Sequence, residues 1–383
     1  MRFSGFTDEW KSFKLKDLLH NKSSSISINQ LEDNVGNYPL YGASGFLKCI
    51  DFYEMDSDYI SIVKDGSGVG NISFHEKNTS VVNTSEYILP KENLNIHFIF
   101  YLLQTINLDK YKTGSTIPHI YFKDYSIEKV KIPKYDEQKK IGILLKNLDA
   151  KIEILDNKLQ MCQNFKKYLM QQIFTQKLRF DFKDTWDKVL LKDVAFIPKK
   201  TKLTNIEGLK LLTVKLHTKG IEINDRIKPK LTKRGRPYYI RRSGELLIGR
   251  QNFHNGGMGI VPKSLDGGIC SNAISSFNVF EDKIDVNYLY YFLARPEYYI
   301  KSERLIGGTG QKEFSEKELL KLKIDLPSLE EQNKIVDFLS NIDHKIEISE
   351  NQLNKTQEFK KGLLQQMFVV QLILSLLQNK KHI

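Results

Sequence analysis

One pattern constrains this chain more than any other: a 38-residue segment that occurs twice. Residues 137–174 and 331–368 share 21 identities at an offset of 194, including Lys-Ile-Glu-Ile at 151–154 and 345–348 and Phe-Lys-Lys at 165–167 and 359–361. In the first copy Ile141, Leu145, Leu148, Ile152, Leu155, Leu159 and Cys162 fall at alternating steps of four and three. In the second copy Ile335, Leu339, Ile342, Ile346 and Leu353 repeat that rhythm, with polar Ser349 and Thr356 interrupting it. A period of 3.5 residues is the seam of a coiled coil. Neither segment contains proline, and Pro133 and Pro327 stand just upstream, where a helix can begin. At ~1.5 Å per residue each helix is roughly 57 Å long. One such helix alone exposes a long apolar stripe, whereas two in one chain can bury their stripes against each other.

A second repeat flanks the first. Phe6-Thr-Asp-Glu-Trp10…Leu15-Lys-Asp17 returns as Phe182-Lys-Asp-Thr-Trp186…Leu191-Lys-Asp193, at an offset of 176. The two modules therefore begin and end alike while their middles diverge, which is one scaffold used twice to read different things. Within the modules Tyr59–Val63 and Leu246–Ile248 read as strands followed by glycine-rich turns. Phe98–Gln104 and Tyr288–Leu293 read as short helices rich in aromatic residues.

The chain carries 58 Lys+Arg against 46 Asp+Glu, a net +12, which points to a polyanionic partner. That excess is unevenly placed. Residues 1–136 hold 15 basic and 17 acidic residues, whereas residues 175–330 hold 29 and 19. The densest run, Arg226 to Arg242, has eight Lys/Arg and no acid, with Tyr238 and Tyr239 interleaved. Neutralising phosphates releases counterions, so Arg234, Arg236, Arg241 and Arg242 are candidate backbone contacts on DNA. A solvated basic loop is the competing reading.

Two pairs of loops are candidates for closer contact. Lys64-Asp-Gly-Ser-Gly-Val-Gly70 follows a strand, but its glycine spacing is not kept in the matching Gly249–Gly259 stretch, which argues against a nucleotide cofactor. In the first loop Lys64 and Ser67 are candidate DNA contacts. In the second, Arg250, Gln251, Asn252 and His254 are the residue types that read guanine and adenine edges, and also ordinary turn chemistry. The other pair precedes the long helices: Lys112-Thr-Gly-Ser-Thr-Ile-Pro-His119 and Gly307-Gly-Thr-Gly-Gln-Lys312. There Lys112, Ser115, Thr116, His119, Thr309 and Lys312 are candidate hydrogen-bond donors to phosphate, with a purely structural turn as the competing reading.

Several classes are disfavoured by absence. No glycine precedes a lysine, so there is no P-loop, and no Asn-Pro-Pro-Tyr loop of the DNA aminomethyltransferase type occurs. The cysteines, Cys49, Cys162 and Cys270, lie far apart without histidine at ligand spacing, which disfavours a disulfide framework or a zinc site. The opening MRFSGFTDEW has no hydrophobic signal core and no run reaches ~18 apolar residues, so a cytoplasmic chain without a membrane span is expected.

Tandem modules, each ending in P-x-x-x-E-Q and a coiled-coil helix, resemble the specificity (S) subunit of type I restriction-modification systems. The motifs are Pro133…Glu137-Gln138 and Pro327…Glu331-Gln332, with Trp10, Trp186, Tyr38-Pro-Leu-Tyr-Gly42, Asp65-Gly66, Gly114-Ser-Thr-Ile-Pro118 and the Leu-x-Gln-Gln-x-Phe helix ends. The resemblance spans residues 6–368 and implies an α+β fold. Two mixed α/β target-recognition domains, at 1–134 and 177–328, would each be followed by a long spacer helix, at 135–176 and 329–368. The helices would pair as an antiparallel coiled coil with pseudo-two-fold symmetry and act as a ruler. The tail 369–383, apolar and basic, has no counterpart after the first helix, and its role is open. The resemblance further implies a non-catalytic subunit with no cofactor of its own, reading a bipartite, asymmetric target in double-stranded DNA. Two modification subunits would bring S-adenosylmethionine, and two restriction subunits would bring ATP and Mg. A scaffold whose modules bind protein, or an enzyme whose site escapes recognition, are the competing classes.

Overall fold

The structure, a computed structural model, describes residues 2–231, 235–302 and 313–369. They form two compact units: one holds the residues up to Asn157 together with those from Glu350 on, the other holds Lys158–Ser349. The division falls within both long helices, Tyr135–Phe174 and Leu329–Leu364, near their middles. The reason is packing, because each module is completed by the last turns of the helix that belongs to the other repeat.

In the first unit a four-stranded antiparallel sheet runs in the order Leu19–Ser23, Ser85–Pro90, Tyr59–Val63, Ile72–His75. Beside it Gly45–Ile50, Tyr38–Gly42 and Ser80–Val81 form a three-stranded sheet. Lys11–Lys14 pairs with Lys129–Ile132, which closes the module just before its long helix. The helix Ile96–Gln104 packs its apolar residues into a core with Trp10, Leu15, Ile60 and Ile88. Into the same core come Leu363, Met367 and Phe368 from the far end of the second long helix. Phe368 meets Phe98 at 5.3 Å and Trp10 at 6.3 Å between ring centroids.

The second unit repeats this plan. Its four-stranded sheet runs Ala195–Phe196, Ile274–Val279, Leu246–Gly249, Met258–Ile260, and Asp187–Leu190 pairs with Lys323–Leu326. The helix Val286–Leu293 takes the place of Ile96–Gln104, and Phe174 takes the place of Phe368. Its ring lies 6.4 Å from Trp186 and 5.7 Å from Tyr288.

The helix halves within each unit run antiparallel, fixed by one ion pair in two copies. In the first unit Lys360 Nζ sits 2.5 Å from Asp149, which also accepts from Tyr101. In the second, Lys166 Nζ sits 2.5 Å from Asp343, which also accepts from Tyr291. All partners are related by the 194-residue offset or nearly so, hence the duplicated sequence makes duplicated contacts. The interrupting Ser349 is buried, yet its hydroxyl donates to Lys345 O within the helix, so the polar intrusion is satisfied locally.

The P-x-x-x-E-Q motif is the joint between module and helix. Gln138 accepts from the Asn95 amide and donates to Pro133 O, while Gln332 accepts from the Asp285 amide and donates to Pro327 O. Glu137 accepts from Nε and Nη2 of Arg2, and Glu331 accepts from Nε and Nη2 of Arg179. All four motif side chains are buried. Their work is structural.

Candidate nucleic-acid interface

The strand Tyr59–Val63 is buried along its whole length and delivers Lys64 to the edge of the first module. The chain then reverses within a few residues, with Gly66 and Gly70 at φ +91° and +89°, where a side chain would be strained. The loop before the long helix folds onto this turn. Thr113 and His119 exchange backbone hydrogen bonds, Gly66 N–H donates to Pro118 O and Ile120 N–H donates to Lys64 O. His119 Nδ1 lies 2.6 Å from Asp65 Oδ1. The two loops singled out in the first module are thus one surface.

Ionic contacts organise that surface. Lys64 Nζ lies 2.9 Å from Asp65 Oδ2, and Lys112 Nζ lies 2.6 Å from Asp109. Partial burial pushes the Asp65 carboxyl up, but hydrogen bonds from His119 and Lys64 outweigh it and hold the group below its ordinary value. The carboxylate orients the imidazole and occupies its Nδ1. Ser67, Ser115 and Thr116 are exposed.

A third element joins them that sequence reasoning did not single out as a contact. The hairpin Tyr38–Gly42/Gly45–Ile50 brings its tip against the glycine loop, so that a Cβ on Gly68 would stand 3.2 Å from Ala43 Cβ. Its Phe46 and Leu47 are 60% and 43% exposed. The signal was present, since Gly42-Ala-Ser-Gly45 between two apolar runs is a hairpin pattern.

The second module builds the same edge with other residues. Arg250 follows the buried strand Leu246–Gly249, and Phe314 N–H donates to Arg250 O as Ile120 donates to Lys64. Arg250 pairs with Glu313 at 2.6 Å, and Gln251 Nε2 lies 3.3 Å from the same carboxylate. Here the hairpin Leu212–Val214/Ile221–Ile223 meets the loop, with His217 N–H donating to Asn255 O and Thr218 N–H to Gly256 O. Asn252 is exposed, while His254 is half-buried with Nε2 3.1 Å from Asn255 Nδ2.

The basic run divides by position. Arg236 is exposed, and Arg242 is exposed with Nη1 3.4 Å from Asp266. Arg241 is a correction to the expectation of a phosphate contact, because only 2% of it is exposed. Its backbone N–H bonds Gly268 O, extending the strand Tyr238–Ile240, and side chains on a strand alternate in direction. Position 241 therefore points inward, where Nη2 donates to Ile274 O, and 242 points outward. Arg234, Thr309 and Lys312 lie outside the described residues.

Among the described residues there is no group of three or more His, Cys, Asp or Glu placed to hold a metal, and no helix is long and apolar enough to cross a membrane. Cys49, Cys162 and Cys270 are free thiols.

Both repeats match the family described as the type I restriction modification DNA specificity domain, over residues 7–162 and 183–358. The chain is 24% identical to the type I restriction enzyme MjaVIII specificity subunit of Methanocaldococcus jannaschii, across 93% of this chain and 91% of that protein. It is 20% identical to the EcoDI specificity subunit of Escherichia coli, across 90% and 84%. The fold is similar to the crystal structure of a type I restriction-modification S subunit from M. genitalium, with a TM-score of 0.69 at 16% identity, covering 94% of this chain and 96% of that one. With two family domains, each ending in a long helix, the chain belongs to the specificity subunits of type I restriction-modification systems, the non-catalytic members of those systems.

Proposed function

We propose that the two modules each read one half of a bipartite, asymmetric DNA target. One observation carries this reading: in both modules a hairpin tip meets the loop after the buried central strand, and a residue preceding the long helix, Ile120 or Phe314, donates its N–H to the first loop residue, Lys64 or Arg250, while the side chains around these bonds differ. Lys64, Ser67, Lys112, Ser115, Thr116 and His119 serve the first half-site. Arg250, Gln251, Asn252 and His254 serve the second, with Thr309 and Lys312 assigned to it from sequence alone. The two long helices, of 40 and 36 residues without a break, set the gap between half-sites. The subunit recruits two modification subunits and two restriction subunits, on which S-adenosylmethionine, ATP and Mg are used.

Titrating binding to a target-bearing duplex at rising salt tests this. Arg236→Ala and Arg242→Ala are each expected to weaken binding and to reduce the salt slope by about one unit, as loss of one phosphate contact does. Arg241→Ala, from a buried site, is expected to lower stability instead. A chain without target-dependent affinity at any salt concentration contradicts the reading.

A further inference from the structure

The first module meets a polyanion with little charge of its own. Residues 1–136 carry 15 basic against 17 acidic residues, and the lysines on its candidate edge, Lys64 and Lys112, are each paired with an aspartate. Counterion release alone therefore gives this module little affinity. The same edge holds two adjacent apolar side chains in the open. Phe46 and Leu47 start the second strand of the hairpin, next to a tip packed on the glycine loop. Phe46 is steadied on one side by Tyr41, edge to ring at 6.1 Å. Leu47 lies across Gly42, where a Cβ would come within 2.9 Å of its Cδ1, so a larger residue at 42 would displace it. Tyr41 and Gly42 face opposite sides of the strand, so Leu47 lies on the other face. Phe46 alone, an exposed ring on a hairpin whose tip packs on the glycine loop, has the chemistry of a wedge between stacked bases. Apolar residues inserted at a base step unstack it and bend the duplex.

We infer that Phe46, steadied by Tyr41, enters the base stack within the half-site read by the first module, supplying through DNA deformation the affinity that its charge does not. The inference rests on the bipartite DNA-reading proposed above. It makes the two modules unlike in physics as well as in sequence: the second holds DNA through charge, the first through an apolar insertion and sequence-dependent deformability.

The test uses the chain in complex with its modification subunits and a duplex carrying its target, with 2-aminopurine placed in turn at each position of both half-sites. Besides the bases that the modification subunits extrude, one step in the half-site of the first module is expected to brighten on binding, and Phe46→Ser is expected to abolish that added signal and weaken binding about tenfold. Phe46→Leu is expected to keep the signal. Because Phe46 is mostly exposed, both variants should melt like the native chain, and the loss in Phe46→Ser should be nearly the same at low and high salt. A native complex that binds its target with no bright position apart from the extruded bases overturns the wedge and leaves the reading of DNA intact. So does a Phe46→Ser complex with unchanged fluorescence, or one that fails because the modification subunits no longer bind. Absence of target-dependent binding by the native complex overturns the underlying reading instead.

Discussion

Phe368→Ala is expected to destabilise the first unit by about 3–5 kcal/mol, the range for removing a buried aromatic ring from a packed core. The side chain is buried between Trp10 and Phe98, more than 260 positions earlier in the chain. It comes from the end of the second long helix, so its loss should register far from its own position in sequence. Hydrogen exchange is the suitable probe. Amides of Ile96–Gln104 and Tyr59–Val63 should lose protection, while those of Val286–Leu293 and Leu246–Gly249 should change little. Phe174→Ala should reverse the pattern, since that ring packs on Trp186, Tyr288 and Phe292. Equal loss of protection in both units, or a change below about 1 kcal/mol, would show that the helix ends do not complete these cores.

The second large effect falls on Glu331. Its carboxylate is buried and receives Arg179 at 3.0 and 2.7 Å and the Trp186 indole at 3.0 Å. Glu331→Ala leaves a partly buried guanidinium and a buried N–H without that acceptor, at a cost of about 3–5 kcal/mol. Glu137→Ala in the first repeat is expected to cost less. Among the described residues the Glu137 side chain binds Arg2 alone, and the matching indole, Trp10 Nε1, makes no hydrogen bond to it. Glu331→Gln should recover part of the loss, because the amide oxygen can still accept from Trp186. Denaturant unfolding of the three variants checks the order. Equal costs for Glu331→Ala and Glu137→Ala would deny the indole bond its share.

Much of the fold was legible because it is written twice. The four-three spacing identified both long helices, and the apolar runs at Tyr59–Val63 and Leu246–Ile248 identified the central strands. What remained hidden depends on tertiary closure. That Phe368 belongs to the core of Trp10, and Phe174 to that of Trp186, follows from antiparallel pairing and cannot be read from local spacing. The role of Glu-Gln in the joint was likewise invisible, since its partners Arg2, Asn95, Arg179 and Asp285 lie far away in sequence.

The candidate edge was half legible. Strand ends followed by glycine marked the loops at 64–70 and 249–259, but the union of the first with its pre-helix loop rests on the Gly66–Pro118 and Ile120–Lys64 bonds. Counting charge misplaced Arg241, because a tally of arginines ignores the alternation that turns every second side chain inward. The hairpin tip was overlooked for the opposite reason. Phe46 and Leu47 look like core residues, and only the backbone shows that they stand outside it.

Mapping the methylated positions in host DNA, for the complex built around this chain, tests the central claim most directly. The proposed reading, in which the long helices set the gap, predicts two unlike half-sites separated by a constant number of unread base pairs. A single uninterrupted motif, or half-sites at variable separation, would contradict it.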